Sequence, residues 1–263
     1  MKTYKFVKST FIIALLLAVL VIFGRQARER DTLYQVSVLS GLMQGDYDGK
    51  ISLNQIRRHG DFGLGTFERL DGEAIELDGI FYQVRADGAV RRLSGQVKSP
   101  FMMVTFFDSD LVFSIPGKTD YRSLQEFIES CLPTKNIPYA VKIDGKFDYI
   151  KVRSVPAQSK PYPLFSEVAK KQSIFEFSDI EGTLVGFRMP DYMQGVNIAG
   201  YHLHFLSRDK TKGGHLLECR VAKAQARVDS IDRFIMALPE SKDFYYLDFS
   251  SGAAIAPEAE KSE

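Results

Sequence analysis

The sequence predicts an α/β protein of the α+β, β-rich kind, with two mixed or antiparallel β-sheet subdomains and a few helices. Three observations predict it. Asp-Gly, a dipeptide suited to tight hairpin turns, begins at residues 48, 71, 78, 87 and 144. Short alternating or apolar runs, rich in β-branched and aromatic residues, lie between these turns. Helical spacing shows in only three short segments. Of 263 residues, 45% are apolar and 25% charged, with four His, two Cys and no Trp. Those fractions exclude a disordered chain, a collagen-like chain and a disulfide-dense miniprotein. The net charge of +1 argues against a nucleic-acid binder that works through a basic surface.

That charge is an average of two unlike parts. Residues 1–30 carry six basic side chains and one acid, a net +5 that leaves −4 for the rest. Between the basic clusters the run from Phe11 to Phe23 holds no charge. A basic start followed by such a run is the pattern of a secretory signal peptide. The run is short of the roughly 20 residues of a comfortable membrane span, and no clean small-x-small cleavage site follows it, so an uncleaved membrane anchor is the alternative. The working part, from about Asp31, is expected outside the cytoplasm, extracellular or periplasmic, touching a membrane only through residues 1–30.

An N-terminal β-rich subdomain is expected over 31–160. Its elements are a short helix at Ser52–Ile56, strands around 65–67, 74–77, 80–84 and 89–93, and a buried strand at 101–107. A capped helix at 119–128 and strands at 137–143 and 147–153 follow. The Pro-rich stretch from Pro156 to Pro163 marks the boundary. A C-terminal β subdomain over 161–250 is expected to hold a helix at 164–169 and strands at 182–187, 196–206 and 215–221, before a tail at 251–263. Cys131 and Cys219 are either a pair formed in an oxidising compartment or two buried small residues.

Three of the four histidines fall within fourteen positions: His202, His204 and His215. Residues two apart in a strand share a face, so His202 and His204 point the same way. A hairpin folded about Asp209-Lys210 sets His204 opposite His215, and opposed residues project to one face. A bulge at Gly213-Gly214 would shift that register. Three imidazoles with a fourth position open form the donor set of a catalytic zinc site, in which the metal acts as a Lewis acid. No His-Glu-x-x-His helix is present, and the residues after His204 lack the glutamate of a cupin. Gly63-x-Gly65 leads into strand-like residues, which removes a dinucleotide loop. His59 stands alone and reads as a surface residue.

The stretch Gly186-Phe-Arg-Met-Pro-Asp-Tyr-Met-Gln-Gly-Val-Asn-Ile-Ala-Gly-Tyr-His-Leu-His-Phe205, followed by Gly213-Gly-His215, resembles the α-acetolactate decarboxylase family. Supporting stretches are Leu53–Ile56 with His59–Phe67, Leu70–Gly79 and Val152–Gln158, so the likeness spans roughly Tyr34 to Phe249. The resemblance implies conversion of 2-acetolactate to acetoin and carbon dioxide, with zinc held by His202, His204 and His215 in the cleft between the subdomains. In that chemistry the metal chelates the substrate hydroxyl and ketone and stabilises an enediolate. The resemblance also implies active-site roles for Glu73 and Arg153, with Thr66 close by, a further glutamate from the tail and a homodimer. The tail offers Glu258, Glu260 and Glu263, whose spacing does not decide between them; Glu260 is taken as the candidate. Without the resemblance, Glu73 is a turn carboxylate and Arg153 the end of a strand. Two other functions stay open on the residues alone: an exported metal-binding protein without catalysis, and a zinc-dependent hydrolase.

Overall fold

The structure, a computed structural model, describes residues 31–250. The expected export segment at 1–30 and the tail at 251–263, with Glu258, Glu260 and Glu263, lie outside the described residues. The described chain runs through β1 (Thr32–Val36), α1 (Leu39–Met43), β2 (Ile51–Ser52), α2 (Leu53–Ile56), β3 (Phe62–Thr66), β4 (Glu73–Leu77) and β5 (Ile80–Val84). It continues through β6 (Val90–Arg92), β7 (Lys98–Ser99), β8 (Met102–Thr105), β9 (Leu111–Ile115), β10 (Thr119–Asp120) and α3 (Tyr121–Cys131). The long strand β11 (Tyr139–Ser154), α4 (Phe165–Ala169), β12 (Ser173–Met189), β13 (Gly200–Ser207), β14 (Gly213–Ser230), β15 (Arg233–Ala237) and α5 (Lys242–Tyr245) complete it.

Two large sheets result. One has seven strands in the order β15-β1-β8-β3-β4-β5-β6. It is antiparallel except that β15 runs parallel to β1. The other joins β10, β14, β11, β12 and β13, with β9 also on β14 and β13 returning to β14. A two-stranded ribbon of β2 and β7 stands apart. The sheets pack face to face: Leu33, Leu64, Ile75 and Leu77 of the first meet Val185, Phe187, Met189 and Leu206 of the second in one buried cluster. On the outer face of the first sheet, Tyr34, Val36, Ala74, Phe81 and Val104 pack with Leu53 and Ile56 of α2. On the outer face of the second, Leu124 and Ile128 of α3 are fully buried with Val141, Leu184 and Leu203. The molecule is therefore a layered α/β structure, and β4 is buried along its whole length because both of its faces are covered.

Local chemistry explains the well-read elements. Asp78 (φ 53°) and Gly79 (φ 71°) form the two-residue turn that joins β4 to β5 with Leu77 opposite Ile80, the left-handed pair that Asp-Gly adopts readily. Asp120 caps α3 by accepting the Ser123 N–H at 2.8 Å. Asp144-Gly145 corrects an expectation. It is no turn, and the strands expected at 137–143 and 147–153 are one, β11. Asp144 accepts from Thr183 Oγ1 at 2.8 Å and Arg227 Nη1 at 2.7 Å on the flanking strands. Gly145 lies where a Cβ would meet the Lys223 carbonyl at 2.5 Å, so this glycine serves close packing instead of a bend. The strand expected from 196 starts at Gly200, and those at 182–187 and 215–221 extend to Ser173 and Ser230.

The boundary expected near residue 160 is not where the sheets part. The chain crosses from the first sheet to the second between Thr105 and Leu111, and β15 brings it back. The Pro-rich stretch is a loop from β11 to α4. Cys131 and Cys219 are both free. Burial pushes the Cys219 thiol up to about 12, which makes it inert. Among the described residues no helix is long and apolar enough to cross a membrane.

Candidate active site

His202 and His204 project from β13 toward the first sheet, and His215 projects from β14. His204 pairs directly with His215, the register expected for a hairpin about Asp209-Lys210. The turn is wider than two residues, because the ladder closes at the Ser207 N–H donating to the Lys212 carbonyl at 2.9 Å. The centre is unchanged, so the register is too. The three imidazoles are buried, their ring centroids 4.9–5.2 Å apart, and one ligand atom from each lies within 4.8 Å of the others.

The donor set fits a metal ion. His204 Nδ1 lies 2.9 Å from the Ala74 carbonyl, so it carries the proton and Nε2 presents a lone pair inward. That Nε2 faces His215 Nδ1 at 3.2 Å. Four-coordinate zinc–nitrogen bonds of 2.0–2.1 Å set an edge of about 3.3 Å. His202 Nδ1 is buried without a hydrogen-bond partner. Burial, the largest cause, holds all three imidazoles below their usual pKa, His204 at about 3. They are neutral, as ligands must be.

Glu73 opens β4 and Arg153 lies near the end of β11, directly opposite His215 in the ladder. They meet across the gap between the sheets, with Arg153 Nη1 3.2 Å from Glu73 Oε1. The other carboxylate oxygen is 3.6 Å from His204 Nε2. Burial raises the Glu73 pKa to about 7 against the pull of Arg153, and burial likewise lowers that of Arg153 while Glu73 opposes it. Thr66 pairs with Glu73, and its hydroxyl is committed to the Gly72 carbonyl at 2.8 Å.

Thr66, Glu73, Arg153, His202 and His215 form one wall of a cavity of about 290 Å³, while His204 is fully buried. Apart from Gln194 the rest is apolar, chiefly Leu39, Leu42 and Met43 of α1, with Leu70, Phe101, Val155, Phe165 and Ile198. Phe165 also lies under the Arg153 guanidinium, 5.6 Å from ring centroid to Cζ. A small anion entering here exchanges water for two cationic or metal-ready groups and a dry surround, where charge interactions are stronger.

The family model of alpha-acetolactate decarboxylase matches residues 33–251. The chain belongs to that family. It is 44% identical over 233 residues to the alpha-acetolactate decarboxylase of Methanosarcina mazei, covering 89% of this chain and 80% of that one. It is 38% identical over 222 residues to that of Bacillus subtilis, covering 84% and 87%. The crystal structure of alpha-acetolactate decarboxylase from Bacillus subtilis superposes with a TM-score of 0.85 at 36% identity, over 88% of this chain and all of that one.

Of the residues predicted from sequence, the alpha-acetolactate decarboxylase fold brings six together: Thr66, Glu73, Arg153, His202, His204 and His215. Glu260 lies outside the described residues. His59 is exposed and stacks on Tyr34 at 3.9 Å, away from the site. The apolar walls were missed, because an apolar pocket residue has the same sequence signal as a core residue. So was Asn197, which is fully buried. Its amide donates to Gln35 Oε1 at 2.7 Å, and Gln35 donates to the Val196 carbonyl at 2.9 Å. This pair fixes the loop that carries Ile198 and leads into His202. The burial of Asn197 carries no sequence signal, and the strand expected from 196 concealed the loop.

Proposed function

We propose that the protein decarboxylates 2-acetolactate to acetoin and carbon dioxide, with a zinc ion held by His202, His204 and His215. The observation that carries this reading is the Glu73–Arg153 pair set against three neutral imidazoles beside one largely apolar cavity, in a chain of this family. An all-imidazole set suits zinc. When bound, the metal supplies Lewis-acid stabilisation of the negative charge that departure of carbon dioxide leaves.

The chain's own residues do the rest. Arg153 presents a planar fork of donors that orients the substrate carboxylate. The apolar walls exclude water from the site as that carboxylate leaves neutral. The C–C bond to the carboxylate breaks, and its electron pair passes toward the neighbouring ketone. Glu73, whose raised pKa lets it hold a proton near neutrality, returns that proton to the carbon that carried the carboxylate. A binding module without catalysis has no need of the Glu73–Arg153 pair, and the family removes the hydrolase.

The test is to measure bound metal in the purified protein and acetoin released from racemic acetolactate, with and without chelator. Zinc at one per chain and chelator-sensitive acetoin release are expected. Zinc without acetoin overturns the reading. His204→Ala should lose metal and activity together.

For the tail glutamate, Glu260 remains the choice. The last described segment packs Leu247 and Phe244 against Gly41 of α1, the helix that walls the cavity, and thirteen residues follow. Turnover falling further in Glu260→Gln than in Glu263→Gln checks it. The export reading rests on the +5 segment at 1–30. A homodimer is supported by the open edge of β15, where Phe234, Ile235 and Met236 are exposed, a strand edge that solvent alone rarely covers. The intact mass of the processed chain and light scattering decide these two: an unprocessed cytoplasmic chain or a monomer would reject them.

A further inference from the structure

The turn from Phe67 to Gly72 joins β3 to β4 and delivers Glu73 to the site. Two consecutive residues in it, Arg69 (φ 67°) and Leu70 (φ 57°), are left-handed. Residues with a Cβ enter that region at a cost and stay there only where their surroundings over-determine them. Here the surroundings do so. The Arg69 N–H donates to the Tyr47 carbonyl at 2.7 Å, and the Gln158 N–H donates to the Arg69 carbonyl at 2.7 Å. The Arg69 Nε–H donates to the Gln158 carbonyl at 2.8 Å. Arg69 and Gln158 thus close a ring of two bonds between two loops. Below it, Thr66 Oγ1 holds the Gly72 carbonyl and Gln83 Nε2 holds that of Asp71 at 2.7 Å.

The two loops are those that set the reacting groups. Glu73 follows Arg69 by four residues, and Gln158 follows Arg153 by five. Glu73 and Arg153 belong to different sheets, and no strand pairing connects β4 to β11. Leu70, buried between them, lines the cavity. An exposed arginine is usually a solvated side chain, but this one is bonded through its own strained peptide to the loop behind its partner. We infer that Arg69 is a positioning residue: its guanidinium clamps the β3–β4 turn to the segment after β11 and so sets the spacing of Glu73 and Arg153 and the place of the Leu70 wall. The kinetic consequence rests on the decarboxylase reading; the clamp does not.

The test uses the full chain with Arg69→Ala, Arg69→Gly and Arg69→Lys. Glycine enters the left-handed region freely, so Arg69→Gly removes the guanidinium without adding backbone strain. Amide exchange is read first, with no substrate. Faster exchange at both 66–73 and 153–159 in Arg69→Gly, with the second sheet's core unchanged, is expected. Unchanged exchange in both segments overturns the clamp. Acetoin release is read next. Misplacement of reacting groups by about 1 Å costs up to about 10²-fold, so kcat should fall about 10- to 100-fold in Arg69→Ala and Arg69→Gly. KM should move less, bound zinc should stay at the wild-type level, and Arg69→Lys should recover part of the loss by donating one bond to Gln158. Wild-type kcat in Arg69→Gly overturns the inference, since the backbone conformation would then suffice. If the wild-type chain releases no acetoin, the decarboxylase reading fails and the exchange result still decides the clamp.

Discussion

Glu73 stands where burial and charge oppose each other. Loss of solvation pushes its pKa to about 7, and Arg153 at 3.2 Å pulls it down. In the proposed reaction a carboxyl so placed is the proton donor, and Glu73→Gln replaces it with a group of the same shape. Positioned acids contribute about 10²- to 10⁴-fold, so Glu73→Gln should lower kcat by that order with bound metal retained. Full activity in this variant would move the proton donor elsewhere. The residues of the site were unequally legible. His202, His204 and His215 could be read from strand periodicity and turn symmetry, because both are local. Glu73 and Arg153 are 80 residues apart and meet only because two sheets stack. No local pattern encodes that, and only the family resemblance singled them out. Leu39, Leu42, Met43 and Phe165 gave no signal at all, since being apolar does not distinguish a cavity wall from a core.

At the scale of elements, β14 does most to assemble the site. It pairs with β13 on one side and β11 on the other, so His215 is flanked by His204 and Arg153. Gly214 makes this possible. Its φ of 143° is disfavoured for residues with a Cβ, and a Cβ there would lie 2.7 Å from the Arg153 carbonyl. Gly214→Ala should therefore push β14 away from β11 just beside His215. Backbone strain of this kind costs about 1–3 kcal/mol, which a denaturant titration reads. Zinc affinity should fall as well, measured by competition with a chromophoric chelator; unchanged affinity would show that the strand accommodates the methyl without moving its ligands. The same logic explains why Asp144-Gly145 misled. Its sequence fits a hairpin, but its place in β11, between two long partner strands, lets cross-strand bonds to Thr183 and Arg227 replace a turn. Turn chemistry is a permission, and the sheet decides whether it is used.

Across the whole molecule, burial sets titratable groups against one another. In the metal-free protein the three histidines resist protons that an unfolded chain takes up below about 6.5, so they destabilise the fold as pH falls. Glu73, Glu76 and Asp229, with pKa values raised to about 7, 9 and 7, hold protons that an unfolded chain has released. A raised carboxyl adds stability at low pH that is lost as pH rises from its unfolded value through its folded one. Between about pH 5 and 6.5 three histidines oppose three carboxyls. Above about pH 8 the balance simplifies, because Glu73 and Asp229 have by then released most of their protons and of these six Glu76 is the main group still changing its protonation. It lies on the α2 side of the first sheet, fully buried, with neither carboxylate oxygen hydrogen-bonded. Desolvation raises its pKa most; Arg57 lowers it and Asp61 raises it. One proton held only by the folded state gives a slope of about 1.4 kcal/mol per pH unit. The metal-free protein should therefore lose stability at about that rate near pH 8, the loss slackening as Glu76 itself titrates near pH 9, read as a falling urea midpoint. Glu76→Gln, which keeps the shape and removes the titration, should flatten this limb and, between about pH 5 and 6.5, leave three histidines opposed by only two carboxyls. Parallel limbs in the two proteins would mean that the fold carries Glu76 charged, at a cost borne equally at every pH in that range.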